Sequence, residues 1–180
     1  MFGQELSSIH SEIPDIKKIP GKRLCELLTV RILVKQVFGD NSRLSYTPDG
    51  APYIDGFNGH ISVSHTKSCI ALAVHPTEII GMDVEQKNNK ILALQKKFMN
   101  ETETESLHSE NPLTGTTLIW SAKESLFKAM RTTDVDFRSQ LHVVPVDTRN
   151  SSGITDACET HSPAPVRYKI HYRIFDEFIL

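Results

Sequence analysis

Two acidic residues with one apolar residue between them, Asp83-Val84-Glu85, are followed far downstream by Glu124 in the run Trp120-Ser121-Ala122-Lys123-Glu124-Ser125-Leu126-Phe127-Lys128. The first segment, from Ile79 to Glu85, reads as a strand, and side chains in a strand alternate with period two. Asp83 and Glu85 are therefore predicted on one face. The second segment reads as a helix, where residues four apart share a face, so Glu124 and Lys128 are neighbours. Three carboxylates that can meet, with lysines beside them, suit a hard divalent cation holding a phosphate-bearing substrate. The spacing alone leaves a second reading open, in which these are two solvated pairs that never meet.

The organisation around these segments predicts an α+β chain. A helix is predicted from about Lys22 to Phe38, with Leu24, Leu27, Leu28, Val34 and Val37 on its core face, closed by Gly39-Asp40-Asn41-Ser42. Short strands are predicted at Leu44–Thr47 and Pro52–Ile54 around the turn Pro48-Asp49-Gly50. Ile61-Ser62-Val63-Ser64-His65-Thr66 alternates and is followed by an apolar strand, Ile70–Val74, which the short loop His75–Glu78 would join to Ile79–Glu85 as a hairpin. Helices are predicted at about Asn89–Met99, Glu103–Leu107 and Leu113–Arg131, and strands at Leu141–Val146 and Val166–Phe175. Between the last two strands, Asp147 to Pro165 is rich in Ser, Thr, Pro, Asp and Asn and reads as a long surface loop. Helix then strands, twice over, points to α+β and away from alternating βαβ units.

Composition narrows the class. The 180 residues suffice for a real core, and 39% hydrophobic with 23% charged residues is ordinary for a globular protein. A net charge of −2 argues against a dedicated nucleic-acid binder. Cys25, Cys69 and Cys158 are scattered, form no Cys-x-x-Cys pair, and read as thiols in a reducing compartment. The first twenty residues hold no signal-like apolar stretch, and no segment approaches the ~20 apolar residues of a membrane helix. The cytoplasm is the expected location, with no membrane partner.

The order Gly50-Ala51-Pro52, then Ile-Ser-Val-Ser-His-Thr, then Gly-Met-Asp-Val-Glu, then Trp-Ser-Ala-Lys-Glu-Ser-Leu-Phe-Lys resembles the 4′-phosphopantetheinyl transferase superfamily. Within it the chain is similar to the larger monomeric class typified by the surfactin-synthetase activating enzyme, over roughly residues 20 to 146. The resemblance implies a pseudodimer of two similar α+β halves with antiparallel sheets and the active site between them. The halves would be residues 1–78 and 79–180, in one monomeric unit. It implies transfer of the phosphopantetheine arm of coenzyme A onto a serine of an apo acyl or peptidyl carrier protein, dependent on magnesium, with manganese as a substitute.

By the same resemblance Asp83, Glu85 and Glu124 are metal ligands. Glu124 and Lys128 are catalytic, and Arg23, Ser64, His65, Lys123 and Lys128 bind coenzyme A. Whether Glu124 or water takes the serine proton stays open. Arg23 also reads as a solvated helix charge, His65 as a residue satisfying nearby backbone, and Trp120, Leu126 and Phe127 as core. One departure stands out: the family often shows Gly-Lys-Pro where this chain has Gly50-Ala51-Pro52. Two other readings are weighed. A metal-dependent nuclease would use Glu85-Gln86-Lys87, but leaves Ser64-His65 and Lys123-Glu124 without a role. A non-catalytic relative would bind coenzyme A or a carrier without turnover. From Val166 onward apolar and basic residues alternate, which predicts a half-buried strand with Arg167, Lys169, His171 and Arg173 on its solvent face.

Overall fold

The computed structural model describes residue 13 and residues 16–107, 111–144 and 147–180. The chain forms two compact units, residues 1–79 and 80–180. Both mix helix with small antiparallel sheets, an α+β organisation. No helix among the described residues is long and apolar enough to cross a membrane.

In the first unit, a 3₁₀ turn at Ile16–Lys18 precedes helix α1, Gly21–Phe38. The helix ends where Gly39 takes φ +93°, a conformation that glycine adopts without Cβ strain, and its N–H donates to Lys35 O at 2.8 Å. Strands β1 (Leu44–Tyr46) and β2 (Pro52–Ile54) pair antiparallel with Leu44 opposite Ile54. Strands β3 (His60–His65) and β4 (Ile70–His75) form a second antiparallel pair, with Ser64 opposite Ala71 and His65 opposite Ile70. Val30, Val34, Leu44, Ile54 and Ile61 make the core. The core face of α1 is shifted from the sequence expectation: Val37 is 57% exposed, and Val30 is buried in its place.

The second unit begins with an extended segment, residues 80–84, that joins no ladder. Strand β5 is only Glu85–Gln86 and pairs with β9, Phe178–Ile179. The predicted strand Ile79–Glu85 is thus reduced to its end. Its predicted hairpin with Ile70–Val74 does not form: β4 pairs with β3 across the turn at Thr66–Cys69, and residues 79–84 join no strand. Three helices follow, α2 (Lys90–Phe98), α3 (Glu101–Glu105) and α4 (Pro112–Met130). Asn100 and Glu103 form a reciprocal capping box on α3. Asn111 caps α4 by accepting from Thr114 N–H at 3.3 Å, with Pro112 at the first helical position.

A three-stranded sheet of order β6-β7-β8 closes the unit, with β6 at Leu141–Val143, β7 at Ser152–Glu159 and β8 at Val166–Arg173. Residues 145–146, at the end of the predicted strand Leu141–Val146, lie outside the described residues. Strand β7 corrects the reading of 147–165 as a surface loop: it is the central strand. Its buried set is Thr155, Ala157 and Glu159, polar or small, while the large apolar Ile154 is 61% exposed. Hydrophobic alternation, the usual strand signal, is therefore inverted here. Strand β8 does alternate as predicted, with Tyr168, Ile170 and Tyr172 half-buried and Arg167, Lys169 and His171 exposed. Leu141, Val143 and Ala157 pack with Ala122 and Leu126 of α4 in the core.

Glu159 ends β7 almost fully buried, and its carboxylate accepts from His161 N–H at 2.8 Å and Ser162 N–H at 2.9 Å. Burial disfavours the charged form, but the Ser162 side chain and the two backbone donors outweigh it and hold the carboxyl below its ordinary range. A lowered native value stabilises the fold above the ordinary carboxylate range and is lost as pH falls through that native value. Glu159→Gln is therefore expected to cost about 1–3 kcal/mol at pH 7. The gap from wild type should narrow below about pH 4. Urea melts at neutral and acid pH check this; a gap that widens on acidification would oppose it.

Candidate active site

Helix α4 presents Trp120, Glu124 and Lys128 at successive four-residue steps, which puts them in a row along one face. The extended segment ending at Glu85 lies against that row. Lys128 Nζ donates to Met82 O at 3.1 Å and to Asp83 Oδ1 at 2.8 Å. Trp120 Nε1 donates to Glu85 Oε1 at 3.0 Å. The segment therefore runs antiparallel to the helix, gripped at Asp83 by one end of the row and at Glu85 by the other. Glu124 stands between the two grips.

Gly81 permits this approach. A Cβ at this position would fall on the Ser125 carbonyl oxygen and stand 2.7 Å from Ala129 N, both backbone atoms of α4 that cannot move aside. The segment packs backbone to backbone on the helix because residue 81 has no side chain. Sequence reasoning did not single out Gly81, since alternation assigns faces but not close approach. Nor did it give Trp120 its role as the donor to Glu85, although the four-residue step from Glu124 was visible.

The electrostatics carry a surplus of negative charge. Asp83 is 5% exposed, and Glu85 and Glu124 are half-buried. Burial pushes the Glu124 carboxyl up to about 6, the Asp83 and Glu85 charges push the same way, and Lys128 only partly offsets them. Glu85 is also raised, by burial first and by Asp83, against the Trp120 hydrogen bond and Lys128. Each carboxylate thus feels the others. The donor set is all hard oxygen, and the raised Glu124 marks charge that one lysine does not neutralise, so these residues fit a magnesium-type cation. Among the described residues, no group of three His, Cys, Asp or Glu side chains is already drawn together as a cation shell.

Lys123 corrects the sequence reading. Expected at the coenzyme phosphates, it is 0% exposed, and its ammonium donates to Phe98 O at 2.6 Å, Glu103 Oε2 at 2.7 Å and Phe137 O at 2.8 Å. Those three acceptors use its three N–H bonds, which leaves none for a phosphate. Burial pushes its pKa down, while Glu103 works against that shift. Beside Glu124 lies a cleft of about 830 Å³ lined by Ile91, Leu94, Phe98, Trp120, Val135 and Phe137 among others.

The first unit gathers its own predicted residues. His65, at the end of β3, has Nε2 3.5 Å from Arg23 Nη1 of α1 and 3.9 Å from Glu26 Oε2. Arg23 also meets Glu26 at 3.2 Å. Ser64, one residue earlier, points to the other side of β3 and is buried. Arg23 and His65 are thus neighbours, a partially exposed basic pair tempered by one carboxylate.

Two outcomes follow from the second unit's geometry. Gly81→Ala should cost roughly 1–3 kcal/mol or more, as overpacking against backbone does, by separating the segment from α4. A variant with native melting temperature would contradict that backbone contact. Were a cation held at Glu124, protons would compete with it, and magnesium affinity measured by calorimetry would fall as pH drops from 7 through 6 to 5. An affinity flat across that range would exclude Glu124 as a ligand.

No curated protein matches the chain at a significant level. The family model of the 4′-phosphopantetheinyl transferase superfamily matches residues 79–180, which contain Gly81, Asp83, Glu85, Trp120, Glu124 and Lys128. That match spans more than half of the chain, and with the geometry above it identifies the protein as a member of the 4′-phosphopantetheinyl transferase superfamily.

Proposed function

We propose that the protein is a holo-[acyl-carrier-protein] synthase-type transferase. It moves the 4′-phosphopantetheine arm of coenzyme A onto a serine of an apo acyl or peptidyl carrier protein, in the presence of magnesium. The observation that carries the reading is the row Trp120-Glu124-Lys128 holding Asp83 and Glu85 around a carboxyl raised to about 6.

In the reaction the serine oxygen forms a bond to the β-phosphorus, the bond from that phosphorus to the leaving oxygen breaks, and adenosine 3′,5′-bisphosphate departs. The serine proton passes to Glu124 directly or through water. A carboxylate that holds a dication is a weak base, so water offers the proton a second route. Asp83, Glu85 and Glu124 would hold the magnesium ion, which when bound supplies charge neutralisation for the pyrophosphate. Lys128 is 30% exposed and paired with Asp83, and its positive charge beside the carboxylates suits a phosphate-bearing ligand. Arg23 supplies a guanidinium and His65 an imidazole N–H suited to a phosphate oxygen, whereas Ser64, buried on the opposite side of β3, is left out of coenzyme binding. Lys123 is left out of coenzyme binding on the geometry given above.

The test is mass spectrometry of apo carrier proteins incubated with coenzyme A, magnesium and the protein. A mass gain of one phosphopantetheine arm is expected, and no gain on any acyl or peptidyl carrier would leave a protein that binds without turnover. Glu124→Gln keeps size and removes charge, so turnover should fall by about two orders of magnitude or more, within the range for a general base. His65→Ala should instead weaken coenzyme binding by ~1–3 kcal/mol. Unchanged coenzyme affinity in His65→Ala would refute that residue's assignment.

A further inference from the structure

The cleft beside Glu124 has two walls that come from different parts of the chain. One is α2, with Ile91, Leu94 and Phe98; the other is the segment after α4, with Val135 and Phe137; Trp120 and Glu124 of α4 line it as well. Lys123 precedes Glu124 on α4 but points away from the cleft into the interior. Its ammonium donates to the carbonyl of Phe98 in one wall and to the carbonyl of Phe137 in the other. We propose that Lys123 is a positioning residue whose ammonium ties the Phe98 and Phe137 backbones together, sets the width of the cleft and holds Glu124 in its lining.

The chemistry of the acceptors supports a tie and not a filler. Phe98 is the last residue of α2, where carbonyls have no partner within the helix and need a donor from elsewhere. A leucine or methionine would fill the space under the cleft but would leave both carbonyls without that donor. The third acceptor, Glu103, neutralises the ammonium and is itself fixed, by Val143 N–H at 3.0 Å on Oε1 and Asn100 N–H at 2.9 Å on Oε2. Every polar atom of the pair is therefore engaged, which is the condition under which a buried ion pair is tolerated. Both phenylalanine rings meet the same tryptophan, Phe98 edge-on at 4.9 Å and Phe137 tilted at 5.5 Å between ring centres, so the position of the tie is passed to Trp120.

Trp120 is the only tryptophan in the chain, so its fluorescence reports the cleft lining directly. The double variant Lys123→Met, Glu103→Gln removes the tie without stranding a charge. Its acrylamide quenching constant should rise at least twofold in the folded state, and kcat for carrier modification should fall tenfold or more with the coenzyme KM within about threefold. Glu103→Gln alone leaves both carbonyl bonds intact, so it should lower the melting temperature yet keep native quenching and kcat. Native quenching and kcat in the folded double variant would reduce Lys123 to a core residue. Should that variant not fold, Lys123→Arg, with a longer side chain, is expected to show the same rise in quenching. In the native protein Lys123 should resist reductive methylation while surface lysines react; methylation at a surface rate would overturn the proposal without any variant. The kinetic arm rests on the transferase reading, whereas quenching and methylation do not, so a failure of one is distinguishable from a failure of the other.

Discussion

The backbone contact between the segment at Gly81 and helix Pro112–Met130 governs the chemistry of the second unit. Helix periodicity alone gives a row of side chains, and an extended segment alone gives two carboxylates on one side. Neither is a site. With no Cβ at residue 81 to keep the two apart, Lys128 reaches Asp83 and Trp120 reaches Glu85, and Glu124 is enclosed between them. The raised Glu124 carboxyl is a direct consequence, since burial and two neighbouring carboxylates outweigh a single lysine. A site assembled in this way stores a demand for positive charge, which a divalent cation and the donors around it can meet.

Two lysines five residues apart on the same helix divide the work. Lys128 lies on the side of Asp83, with which it pairs, and keeps partial access to solvent. Lys123 faces the opposite way and is consumed by the interior. Sequence proximity to Glu124 says nothing of this difference. The 3.6-residue turn does: position 123 falls on the core side with Ile119 and Leu126, while 120, 124 and 128 fall on the side of the carboxylates.

Much of this was legible in the residues. The helices predicted at 22–38, 89–99 and 113–131 appear within a residue or two of those bounds, the first closed by Gly39 and the last opened by Asn111-Pro112. The spacing left open whether Glu124 meets the Asp-x-Glu segment, and in the fold its carboxyl feels the Asp83 and Glu85 charges. What escaped has physical reasons. Strand β7 buries Thr155 and Glu159 and exposes Ile154, so a hydrophobicity pattern describes it as a loop. The segment before Glu85 is extended but pairs with a helix surface in place of a strand, and sequence alternation cannot tell those two partners apart. Gly81 is invisible to any side-chain pattern, because what it contributes is the absence of a side chain.

The proposed chemistry requires that Asp83, Glu85 and Glu124 share one cation. Anomalous scattering from crystals grown with manganese and coenzyme A locates that ion without reference to activity. A single peak bounded by the three carboxylates, absent from crystals of Glu124→Gln, is the result expected. A manganese peak held by other residues, or one that persists unchanged without the Glu124 charge, would contradict it.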